Sequence, residues 1–310
     1  MSIVLVTGAA GFIGSHTCDQ LLAAGHAVVG CDNFRTGRRE NLAAALRSAA
    51  FRFIEADITA DAALDRLAAE AKPDAIIHLA ALVSVQESVT NPELNFRLNV
   101  HATQLVAEAA RRHGIGRVVF ASSAAVYGDA RQLPLAEQAA PHPISPYGAA
   151  KLASEAILSG HAAAFGFTAR SQRYFNVYGP RQDPNSPYSG VISIFCDQLR
   201  AGTSPKIFGD GEQTRDFIAV DDVARANVLA ATAPGITSGT ANICTGRATS
   251  LNRLIGVLRR LIPNAPTAVH AEARVADIRH SLGAPDIAKA ELGFEPQVAL
   301  EDGLAALLAN

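Results

Sequence analysis

Apolar residues along the first 175 positions follow two rhythms. Short runs rich in valine, isoleucine and phenylalanine occur at 3–7, 27–32, 51–55, 75–80 and 117–122, and 168–174 is a further candidate strand. Between them lie longer, alanine-rich amphipathic stretches at 13–24, 61–71, 94–113 and 147–165, the spacing of helices. Strands of near-continuous apolar character are buried on both faces, and strand–helix repetition needs right-handed crossovers and a parallel sheet. The pattern predicts an α/β chain with a doubly wound, Rossmann-type parallel sheet. After residue 176 the rhythm breaks. Prolines and polar turn residues over 178–190 predict a loop. They are followed by a helix at 191–201, a short apolar stretch at 218–220, a helix at 221–232, a strand at 240–243, and helices at 250–261 and 301–309. This reads as a smaller, mixed C-terminal lobe. The division expected is 1–175 and 176–310, with about 216–244 returning to the first lobe. Ligands of such sheets sit beyond the carboxyl ends of the strands, so the two lobes should enclose a cleft there.

Composition narrows the classes. With 49% hydrophobic and 18% charged residues, the chain can fill a sizeable core and is neither disordered nor fibrous. A net charge of −2 gives no general field for nucleic acid or an anionic membrane, so neither is an expected partner, and an anionic ligand must be held by a few placed groups. The first apolar run, Ile3 to Val6, is too short for a secretion signal, and no stretch approaches a bilayer span. Cys18, Cys31, Cys196 and Cys244 lie far apart without a paired spacing. That argues against a metal site and for reduced, buried thiols in a cytoplasmic protein.

The chemistry begins directly after the first strand. Thr7-Gly8-Ala9-Ala10-Gly11-Phe12-Ile13-Gly14 turns from strand into helix. Glycines there let the backbone approach a pyrophosphate, and the helix start supplies free N–H groups and positive dipole. Asp32 ends the second strand at the distance that the dinucleotide fingerprint requires. An acid at that point accepts hydrogen bonds from ribose hydroxyls and repels a 2′-phosphate, which favours NAD over NADP. Arg35, Arg38 and Arg39 pull the other way, because arginines at this corner can hold a 2′-phosphate. Asp57, followed by Ile58, is either a partner for the adenine amino group or a helix N-cap.

Tyr147 and Lys151 stand four residues apart on a helix that follows Pro146, on one face. A tyrosine with a pKa of about 10 is a poor base at neutral pH; a neighbouring ammonium should lower it. Ser122 and Ser123, at the end of the preceding strand, can supply a hydroxyl between Tyr147 and a substrate.

These motifs together resemble the extended short-chain dehydrogenases/reductases, and among them the UDP-hexose 4-epimerases. The likeness runs over nearly the whole chain. It rests on TGAAGFIG at 7–14, DNF at 32–34, HLAA at 78–81, SSAAVYG at 122–128, YGAAK at 147–151, RYFNVYGPRQ at 173–182, GDGEQTRDFIAVDDVA at 209–224 and RVADIRHS at 274–281. The resemblance implies that Ser123 is the catalytic hydroxyl, Tyr147 the general base, and Lys151 the lysine that holds the nicotinamide ribose. It also places Phe12, Ile13, Asn33, Ile58, Leu79, Ala80, Ala81, Asn99, Ser122 and Tyr174 beside the cofactor. Asn176, Arg215 and Arg274 match positions that bind the uridine diphosphate, with Asp277 a partner for its ribose. Two arginines suit a diphosphate, since their planar forks pair with phosphate oxygens. Nothing local ties Glu87 or His78 to chemistry, so both read as structural.

Departures and details sharpen the expectation. Related dehydratases carry an acid just after the catalytic hydroxyl to protonate a leaving group; here Ala124 and Ala125 stand there, so epimerisation is favoured over elimination. Ala276 occupies a place where the family often has glycine. Ser281 aligns with a wall of the hexose pocket, where a small residue accompanies acceptance of N-acetylated sugars. The family commonly forms homodimers through two helices, here 94–113 and 147–165, with Leu98, Ala102, Leu105, Val106 and Ala109 on the first. Two other readings stay open: an enzyme acting on a GDP- or dTDP-linked sugar, and a non-catalytic NAD-binding regulator.

Overall fold

In the computed structural model, residues 1–60, 62–182, 190–273 and 278–309 are described. Strands β1 to β6 are Ile3–Thr7, Ala27–Asp32, Phe51–Glu55, Ala75–His78, Arg117–Ser123 and Thr168–Tyr174. Strands β7 to β12 are Asn176–Tyr178, Lys206–Phe208, Thr214–Ala219, Gly239–Ile243, Ala248–Ser250 and Val269–Ala271. Helices α1 to α6 are Phe12–Ala23, Ala63–Ala71, Val85–Thr90, Pro92–Asn95, Ala102–His113 and Pro146–Phe165. Helices α7 to α11 are Val191–Arg200, Val220–Thr232, Leu251–Leu261, Asp286–Leu292 and Leu300–Ala309.

Seven strands form one sheet in the order β10-β6-β5-β4-β1-β2-β3, and every neighbouring pair is parallel. The chain moves outward from β1 through β2 to β3, then returns to β4 on the other side of β1. That reversal opens a crevice at the carboxyl ends of β1 and β4, where a doubly wound sheet binds its ligand. Strands β1, β2, β4 and β5 are largely apolar because both sides are covered, whereas β6 buries the polar Arg170, Gln172 and Arg173. One face packs Val4, Val6, Val28, Ile77 and Val119 against α1 and α8 residues such as Leu21, Val223 and Ala226. The other packs Leu5, Ile76, Val118 and Phe120 against Val106, Ala110 and Leu158 of α5 and α6.

The smaller lobe holds the three-stranded sheet β11-β9-β7, the pair β12-β8, and a core built from Phe195, Leu199, Ile207, Leu254, Leu258 and Leu304. Buried Asp216 of β9 ties it together. Its carboxylate accepts from Thr245 N at 2.8 Å, Thr245 Oγ1 at 2.6 Å and Gly246 N at 2.9 Å.

Two expectations change. The 94–113 helix is interrupted: α4 passes into a wider-wound segment, Phe96–His101, before α5 begins. Ala102, Val106 and Ala109, expected on a pairing face, are instead buried against this chain's own sheet, while Leu98 lines the cleft. The outward face carries Phe96, 60% exposed, and Ala149, Ala153, Ala156 and Gly160 of α6.

Candidate functional site

A single cleft of about 1380 Å³ runs between the lobes along the carboxyl ends of β1, β2, β4, β5 and β6. At one end the turn after β1 is held by its glycines. Gly8 has φ +73°, and a Cβ there would lie 2.7 Å from Ala80 N; a Cβ on Gly14 would lie 2.0 Å from Gly8 O. The turn therefore presses against the Leu79–Ala80 backbone and the start of α1 with no room for a side chain. Thr7 Oγ1 clamps the same place, accepting from Leu79 N and Ala80 N at 3.3 Å and meeting His78 Nδ1 at 2.8 Å. Burial drives the His78 imidazole down to about 3, with the Lys151 charge adding to it, so His78 is a neutral structural partner.

Asp32 accepts from Ala10 N at 2.9 Å and Phe34 N at 2.8 Å. Burial raises its carboxyl above the ordinary value, and these N–H groups pull it partly back. Burial also pushes Asp57 up, but Thr59, Asn33 and Arg97 outweigh it and hold its carboxyl low; the Thr59 N–H and hydroxyl bond to it at 2.8 and 2.7 Å. Phe12, Ile13, Asn33, Ile58, Leu79, Ala80 and Ala81 all line this end. A glycine cradle at a helix start, with an acid at the end of β2, fits a dinucleotide.

The centre of the cleft is built by α6. Ser145 caps it, accepting from Gly148 N at 3.1 Å, and Pro146 opens the first turn. A Cβ on Gly148 would stand 2.6 Å from Ala125 O, so α6 seats its first turn directly on the bend that follows β5. That contact places Tyr147 with Ser123 on the same wall of the cleft. Ser123 Oγ also accepts from Ala125 N at 3.2 Å.

The expected lowering of Tyr147 by Lys151 is not what the geometry gives. Burial raises the Tyr147 phenol, and the neighbouring Ser123 hydroxyl offsets only part of this. Lys151 instead donates to Ala121 O at 2.8 Å, with its ammonium 5.8 Å from the Tyr147 ring centre. Burial brings Lys151 itself down from 10.5 to about 7, against the pull of Glu155.

Beneath this pair lies a buried network that sequence reasoning missed. Arg173 donates to both Glu155 oxygens at 2.9 and 2.7 Å, and the Ser122 hydroxyl donates to the same carboxylate. Ser122 thus borders the cleft but spends its hydroxyl on Glu155. Tyr174 donates to Asn227 Oδ1 at 2.6 Å and borders the cleft as expected.

Asn99 is the exception among the described cofactor residues, being absent from the cleft lining. Its amide is buried, accepting from Leu82 N and donating to Leu82 O, both at 3.0 Å, and donating to Asn95 Oδ1 at 2.7 Å. It supports the Leu79–Ala81 segment from behind.

At the far end Asn176, Arg215 and Ser281 line the opposite wall. Ser281 N donates to Thr214 O at 3.1 Å, next to Arg215 in β9. Arg274 and Asp277 lie outside the described residues. Phe175, Phe217, Ile192 and Ile278, from four separate segments, complete this wall. Among the described residues, no group of histidine, cysteine and acidic side chains is placed to hold a metal, and no helix is long and apolar enough to cross a membrane.

Fold and cleft together define a nucleotide-binding α/β oxidoreductase scaffold of the epimerase type. The chain matches the model of the NAD-dependent epimerase/dehydratase family over residues 4–244 and belongs to that family. A relative named UDP-glucose 4-epimerase, from Mycolicibacterium smegmatis, is 43% identical over 302 residues, covering 97% of this chain and 96% of that one. The structure of UDP-glucose 4-epimerase with UDP-glucose from Thermotoga maritima superposes with a TM-score of 0.92 at 37% identity, covering 99% of this chain and 97% of that one. UDP-N-acetylglucosamine 4-epimerase from Methanobrevibacter ruminantium, in complex with UDP-N-acetylmuramic acid, gives 0.94 at 36%, covering 99% and 97%.

Proposed function

We propose that this protein is an isomerase, an NAD-dependent UDP-sugar 4-epimerase that acts on UDP-hexoses and their N-acetylated counterparts. The observation that carries the reading is that Ser123 and Tyr147 converge on one cleft, with Lys151 one helical turn on. This pair stands midway between the glycine cradle and the wall of Asn176, Arg215 and Ser281. Bound NAD supplies the acceptor, and then the donor, for the hydrogen on sugar C4. Tyr147 takes the proton of the 4-hydroxyl at its phenolic oxygen, with the Ser123 hydroxyl bridging, and later returns it. Lys151 holds the nicotinamide ribose. Arg215 and Asn176, together with Arg274 and Asp277, anchor the uridine diphosphate while the 4-keto sugar turns to present its other face. Firm hold on the diphosphate with a loose hold on the sugar is what a rotating intermediate requires.

The division of labour follows: 1–175 for the dinucleotide, 176–310 for the nucleotide sugar, with about 216–244 returning to the first lobe. The reading includes a homodimer through the α5–α6 side and a cytoplasmic setting. The second is supported by four cysteines that are all free and buried. Replacement of Tyr147 by phenylalanine tests the assignment: UDP-galactose to UDP-glucose turnover should fall by at least a hundredfold, the scale of a lost general base, and near-normal turnover would refute it.

A further inference from the structure

One charged contact crosses the cleft without a part in the chemistry above. The loop after β2, running from Asp32 to Arg38, forms one rim of the dinucleotide groove, and the segment Val83 to Glu87 forms the other. Arg35 reaches from the first rim and donates to the Glu87 carboxylate on the second. Both side chains are partly exposed, at 33% and 22%. Glu87 is held firmly from behind: Ser84 Oγ accepts its N–H at 2.8 Å, and buried Ser88, next in the chain, accepts Tyr147 N at 3.1 Å. The acid that holds Arg35 therefore stands on a short helix pinned to the catalytic end of α6.

We infer that Glu87 is a specificity-determining residue for the dinucleotide, because by holding Arg35 across the groove it withholds that guanidinium from a ribose 2′-phosphate. The inference rests on the reading of this cleft as an NAD site. An arginine shortly after the acid of β2 is the group that accommodates a 2′-phosphate in NADP-binding sheets. Here the acid is present as Asp32, and the arginine is present as Arg35 but already paired. A phosphate monoester carrying nearly two negative charges would meet two carboxylates, Asp32 and Glu87, and a guanidinium whose fork is engaged. An NAD ribose, which carries only hydroxyls at that point, pays no such penalty. Charge pairing across the rims, and not the Asp32 carboxylate alone, then sets the preference.

The test is the binding of NAD and NADP to cofactor-stripped protein by calorimetry, for the wild type, Glu87→Gln, and Glu87→Gln combined with Arg35→Ala. Glutamine keeps the shape and removes the charge. The NADP-to-NAD affinity ratio should rise about tenfold in Glu87→Gln, the scale of one charge-assisted hydrogen bond. It should fall back when Arg35 is also removed, although Arg38 still lines the groove. A purely structural role for Glu87 would weaken both dinucleotides together and leave the ratio unchanged, and that result overturns the inference. A raised ratio that survives the loss of Arg35 overturns it as well. Wild-type protein that binds neither dinucleotide would refute the NAD reading itself, which is a distinct outcome.

Discussion

Ser281 lines the cleft beside β9, its backbone N–H bonded to Thr214 O, and in the proposed sugar pocket its small side chain would leave space beside the sugar. A tyrosine there would crowd a C2 acetamido group, and forcing bulk into a filled site costs roughly 1–3 kcal/mol. Ser281→Tyr is therefore expected to lower kcat/KM for UDP-N-acetylglucosamine by about ten- to a hundredfold while sparing UDP-glucose. Equal losses on both sugars, or none, would show that Ser281 is not the gate. At this scale the sequence was most legible where partners are neighbours in the chain. The glycine turn, the Tyr147–Lys151 spacing and Asp32 are each readable because backbone geometry fixes them within one turn or one strand. The Arg35–Glu87 pair has no local signal because only the folding of two separate crossovers brings its members together. The buried set of Ser122, Glu155 and Arg173, and the Asp216 anchor, were invisible for the same reason. Tyr147 shows the opposite failure: the four-residue spacing was right, but spacing alone does not reveal that Lys151 turns to Ala121 O.

At the level of elements, the seat of α6 on the β5 bend decides whether Ser123 and Tyr147 meet. Gly148 permits that seat, since a Cβ there would fall 2.6 Å from Ala125 O. Gly148→Ala should push the first turn of α6 away and lower kcat by about tenfold to a hundredfold, as misplacement near 1 Å does. The same strain should cost roughly 1–3 kcal/mol in thermal unfolding. Full activity in this variant would mean that the close approach has no catalytic consequence. Strands β1, β2, β4 and β5 and the helices between them were legible because their runs are largely apolar. Three-residue strands such as β7, β8, β11 and β12 were not, since so short a run carries no period. The break before α5 escaped notice because Phe96–His101 keeps helical composition while its winding widens.

One groove holds the glycine turn, Ser123 with Tyr147, and the wall of Asn176 and Arg215, the order along which the proposed epimerisation would run. Exposed Phe96 before α5 and the exposed small residues Ala149, Ala153, Ala156 and Gly160 of α6 form the outward face through which the proposed dimer would pair. Sedimentation at micromolar concentration should show a dimer, which Ala153→Glu should dissociate; a monomeric wild type would contradict this pairing. The central claim is that C4 of the sugar gives up and regains the same hydrogen within a single enclosed site. Proton NMR of UDP-glucose deuterated at C4, incubated with the purified protein and NAD in ordinary water, tests it most directly. The account predicts UDP-galactose that retains deuterium at C4, with no net change in the nicotinamide. UDP-galactose carrying solvent hydrogen at C4, or no epimer at all, would contradict it.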